Sequence, residues 1–174
     1  MRSARQAPSA VSVAGLYVFG LVLFCWPFLD LVTNALPILP GELQWRYGFA
    51  GLMAAYLHTP ILALVMVTAS AYALGHTKTL RALSAFEVVM AFGIVLIAVG
   101  FSLDLLQVRA SRPEEVRGAV MAGGLIAVAK HLSSAAVLLL LGIGGWRTAK
   151  VASSQATTVD KAAEAGIVMR KRGS

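Results

Sequence analysis

Long apolar runs separated by short polar breaks make up most of this 174-residue chain. Four stretches, approximately 11–32, 47–74, 82–106 and 118–146, are long enough to cross a hydrocarbon core of ~30 Å as helices rising ~1.5 Å per residue. None shows the alternation with regular turn signals that marks a membrane β-barrel. Short connections such as "GHTKTLR" force consecutive helices to be antiparallel. The expected fold is therefore all-α, a four-transmembrane-helix up-down bundle over residues 11–146. Residues 1–10 form a short cytoplasmic N-terminus in this reading, and 147–174 a mobile basic cytoplasmic tail with at most a weak helix around "VDKAAEAGIVM".

The breaks carry their own signals. Arg2 and Arg5 precede the first run, but that run is too long for a signal-peptide core and no A-x-A site follows, so it reads as an uncleaved span. Pro37 and Pro40 stop any helix from continuing across the first connection. In "SRPEEV", Ser111 and Glu114 have the spacing of a capping box. Pro60, just after His58-Thr59, is placed to kink the second span and free a carbonyl there.

Composition agrees with a multi-pass membrane protein. Hydrophobic residues are 58% and charged residues 13%, against about 25% charged in soluble domains. The mean hydropathy is +0.77. The net charge of +7 sits in loops and tails rather than on a folded basic face, so no nucleic-acid partner is expected. Ten basic residues (Arg2, Arg5, Lys78, Arg81, Arg147, Lys150, Lys161, Arg170, Lys171, Arg172) fall on one side of the expected topology, and four (Arg46, Arg109, Arg112, Arg117) on the other. The positive-inside rule then puts both termini in the cytoplasm. Trp26, Trp45, Tyr47 and Trp146 suit interfacial anchors. The single Cys25 excludes an intrachain disulfide and any cysteine-based metal motif.

Polar residues inside the runs are the candidate chemistry. Gly123, Ala127, Lys130 and Ser134 share a face of the fourth span, with His131 at its border. Gly48, Gly51, Ala55 and His58 repeat the pattern on the second, and His58 and Lys130 are expected at similar depth. Because side chains lean toward the start of their own helix, Asp104 is expected to lean toward Lys130 and Glu87 away from it. Arg46 is placed to join Asp104 or Asp30 in an outer polar ring. The expected buried polar network is Arg46, His58, Glu87, Asp104, Lys130, His131 and Ser134. Intramembrane charges cost about 2.5–3.5 kcal/mol on insertion scales, which argues for some use.

Three uses follow. The favoured one is an accessory or scaffold protein that packs through its Gly/Ala faces against itself, as a homo-oligomer, or against a larger membrane complex. The second is electron transfer, with His58 and His131 as axial ligands of haem b. The third is proton or small-solute transport by an oligomer. No P-loop, dinucleotide fingerprint, zinc-protease or nucleophile-elbow motif occurs, so no catalytic or metal-ligating set and no enzyme activity are expected.

"WRYG", the Thr59-Pro60 pair and "LDLLQVR" resemble segments of small uncharacterised bacterial four-span inner-membrane proteins. The likeness runs from Pro37 to Gly145 and implies a multi-pass protein of the bacterial inner membrane, with no activity or cofactor attached.

Overall fold

The computed structural model describes residues 10–172, and every secondary-structure element among them is a helix. These are α1 (Ala10–Asn34), α2 (Leu43–Tyr56), α3 (His58–Ala73), α4 (Thr77–Ala110) and α5 (Glu114–Arg172). α1, α4 and the Glu114–Ser154 part of α5 are each long and apolar enough to cross a membrane. The pair α2 and α3 passes the same test together, which makes four candidate spans if the pair is one.

The stretch 47–74 is not one straight helix: its two halves meet at Leu57 with a bend of 42°. Pro60 supplies the reason, because it has no amide to give to the carbonyl one turn earlier, at Tyr56. The ladder closes again on either side, with Leu57 N donating to Met53 O at 3.1 Å and Ile61 N to Leu57 O at 3.2 Å. α3 ends at a tight turn in which Gly75 has φ +69°, a conformation that favours glycine. His76 N then donates to Ala71 O at 2.9 Å.

α4 and α5 form a long antiparallel hairpin whose register is set by glycines on α5. Gly124 packs on Leu105, Gly142 on Ser84 and Val88, and Gly145 on Ser84 and Leu80. A Cβ at Gly142 would lie 2.8 Å from the Ser84 carbonyl oxygen, so these backbones approach as only glycine allows. The core gathers Leu31 of α1, Met53 and Leu57 near the bend, Leu64 of α3, Ala91 and Ile94 of α4, and Ala135 and Leu138 of α5. Outward, Val18, Trp26, Leu62, Val89, Leu96 and Leu140 are exposed, as expected of a surface bathed in lipid rather than water.

One local expectation fails, and one helix runs past its expected end. Ser111 does not cap α5; it closes α4, and its hydroxyl donates back to Val108 O at 2.9 Å. Pro113 intervenes before α5 and Val116 N bonds its carbonyl, so the turn is organised by proline. Beyond Trp146, where the composition turns polar, α5 continues as helix through Arg172. Good helix formers (Lys150, Ala152, Gln155) carry it on, and no proline interrupts it.

Candidate functional site

The end of the bundle opposite the α3–α4 turn is tied by one ion pair. Arg46 donates from Nη2 to Asp104 Oδ1 at 3.0 Å and from Nε to Oδ2 at 3.1 Å, a two-pronged contact between α2 and α4. Its Nη1 also reaches the Pro40 carbonyl at 3.3 Å, which draws the α1–α2 connection over the pair. Next door, Trp45 Nε1 donates to Ala35 O at 2.7 Å. Tyr47 stacks on Phe101 with ring centres 5.0 Å apart.

Asp104 is therefore not the partner of Lys130. The hairpin register puts Leu105 opposite Gly124, so Lys130, six residues farther along α5, is about 9 Å deeper. Helix-end lean cannot span that difference, and Arg46 already occupies the carboxylate. Among the described residues the Lys130 amine has no hydrogen bond or ion pair.

Lys130 instead lines a groove of about 410 Å³ between α2 and α5. Gly48, Gly51 and Ala55 form one wall, Gly123, Ile126 and Ala127 the other, with Phe101 among the lining residues. The two small-residue stripes thus face a common space. They do not close it: a Cβ at Gly48, Gly51 or Gly123 would meet nothing within 4 Å. The glycines that do press on a neighbour are Gly124, Gly142 and Gly145, which touch α4, and Gly20, which touches Val67 of α3.

His131, not Lys130, occupies the middle of the buried face of α5 and is 0% exposed. It donates from Nδ1 to Ala127 O at 2.8 Å, which leaves Nε2 an acceptor with no protein partner. Ser134 is buried one turn on. His58 lies past the bend, exposed, with Nδ1 3.5 Å from Ala55 O. Neither imidazole lines the α2/α5 groove or the clefts around Thr68, Phe92 and Ser84. A haem held by both would need their Nε2 atoms to face one slot, so His58 and His131 do not fit a bis-histidine haem site.

Glu87 is separate from this region. It is 0% exposed on α4, and Thr68 of α3 donates to its Oε1 at 2.5 Å. Glu87 Oε2 and Ser84 Oγ, one turn apart on α4, have no partner. Thr68 and Ser84 were not among the sequence candidates. The spacing of Ser84 and Glu87 on one α4 face is the signal that points to the latter, whereas nothing in the sequence marks Thr68. Among the described residues no cation makes an ion pair with Glu87.

No group of three or more histidine, cysteine or acidic residues among the described residues is placed to hold a metal. No protein-family model matches the chain, and searches of curated proteins and of solved structures return no match.

Proposed function

We propose that this protein is a membrane-embedded scaffold that seats a helix carrying a carboxylate in the α2/α5 groove. In this reading α2 and α3 count as one span. The chain then crosses a bacterial inner membrane four times, with the Lys78, Arg81 and Arg147 end in the cytoplasm. The observation that carries the reading is the unpaired amine of Lys130 on a groove whose glycines leave room for another backbone. A buried charge is stable in a bilayer only when paired or watered, and among the described residues no anion pairs with Lys130. Small residues let a second helix approach closely enough for its carboxylate to reach the amine.

The test is affinity purification of the tagged chain from native membranes in mild detergent, with Lys130→Met and Lys130→Arg alongside. A helix-bearing protein is expected to co-purify with the wild type and with Lys130→Arg, and to be lost on the order of tenfold with Lys130→Met. Recovery of the wild type as an isolated single chain would contradict the proposal.

A second reading, proton movement, draws on Glu87. Gly142 lies level with it, so Trp146 marks an interface only about 6 Å away. Thr68, which bonds the carboxyl, lines one cleft, and Ser84, one turn away on α4, lines another. Proteoliposomes decide it: proton flux that is absent in Glu87→Gln supports movement, and equal flux in both removes it.

A further inference from the structure

We infer that the helix seated in the α2/α5 groove is α1 of a second copy of this chain, with Asp30 of each copy meeting Lys130 of the other. The inference rests on the docking reading above and names its occupant. Four charged residues lie within the apolar stretches of the sequence: Asp30, Glu87, Asp104 and Lys130. Asp104 is held by Arg46 and Glu87 is enclosed with Thr68. The remaining two are opposite in sign, and neither carboxylate nor amine has a side-chain partner among the described residues. Each is only partly covered by its own fold.

Their depths agree. Leu31, the neighbour of Asp30, packs with Met53 and Leu57. Lys130 shares its groove with Ala54 and Ala55, which lie between those two residues on the same stretch of α2. The charges therefore sit within about a turn of one another along the bundle.

Their positions around the bundle also agree. α2 packs against both α1 and α5, so α1 and the groove border a common helix. A two-fold axis parallel to the bundle beside α2 brings each α1 to the partner's groove at once, which closes a dimer with two identical charge pairs. The face of α1 that carries Asp30 is open for this. Trp26 and Thr33 share it by helical spacing, and both are exposed. That face needs a cover that satisfies a carboxylate, and the groove needs one that satisfies an amine.

The experiment combines charge reversal with cross-linking in lipid bilayers. Association is measured by energy transfer between labelled copies of the full chain as lipid is added. Asp30→Lys and Lys130→Asp are each expected to weaken self-association on the order of tenfold or more, and the double exchange to restore it. Because a reversed charge can impair insertion, a second measurement keeps both charges native. In a Cys25→Ser background, one tagged chain carries Thr33→Cys and a differently tagged chain carries Ala55→Cys. Copper phenanthroline accepts the two electrons released as the two thiols join. A disulfide linking the two tags is the expected product.

A wild type that does not self-associate, single reversals that leave it unchanged, or no link between the tags would each overturn the inference. Loss of a different co-purifying membrane protein in Lys130→Met, with no self-association in the wild type, would overturn this inference while leaving the docking proposal standing.

Discussion

Asp104 and Lys130 carry opposite charges on neighbouring helices, yet the hairpin keeps them apart. Arg46 holds Asp104 through two prongs, a geometry that lysine cannot reproduce. Asp104→Asn should lower the unfolding midpoint, and Arg46→Lys should lower it less, because an ammonium keeps only one of the two prongs. Unfolding in mixed micelles measures both, and an unchanged midpoint for Asp104→Asn would remove the pair from the set of stabilising contacts. Glu87 calls for a different comparison. Gln keeps an acceptor for Thr68, whereas Ala removes the acceptor and leaves a void, so Glu87→Ala should lose about 2–4 kcal/mol more than Glu87→Gln. Much at this scale is legible in the sequence: the polar residues inside apolar runs stand out, and the position of Arg46 at the outer start of its span places it to pair with Asp104 or Asp30. The partner of Lys130 is not legible there, because side-chain lean assumes two residues share a level, and the level is decided by Gly124 meeting Leu105.

Two elements depart from regular spans for reasons that can be undone. Pro60→Ala returns an amide able to reach the Tyr56 carbonyl, and α2 and α3 should straighten toward one rod. Spin labels placed near Gly48 and Ala69 would then move apart, while an unchanged separation would mean that packing, not proline, sets the 42° bend. At the other end, Gly145→Val drives a side chain into Ser84 and Leu80 and should destabilise the α4–α5 hairpin by about 1–3 kcal/mol, read as a lower thermal midpoint. Glycine spacing alone gave no hint of this division of labour. The stripes through Gly48, Gly51 and Gly123 look in sequence like close-packing faces, but they border open space, and the glycines packed in the α4–α5 hairpin are Gly124, Gly142 and Gly145. Helical periodicity locates a small-residue face; which face a neighbour fills is decided by the bend and the hairpin register, neither of which has a local signature.

At the scale of the molecule, apolar length was enough to anticipate an all-helical bundle, because a membrane accepts few ways of satisfying a backbone. The length of α5 past Trp146 is not legible, since polar composition says little about whether an existing helix stops. What the bundle leaves unfinished is a cation on a groove and an anion on the face of α1. The most direct measurement joins Lys130 to whatever carboxylate covers it, using a membrane-permeant carbodiimide on native membranes. The reagent takes up the water lost as amine and carboxylate form an amide, and mass spectrometry identifies the peptide attached to the α5 segment. The expected product is Lys130 linked to an aspartate or glutamate from a helix outside its own fold, with Asp30 of a second copy the specific expectation. Lys130 recovered unmodified, or linked to Asp104 of the same chain, would contradict it.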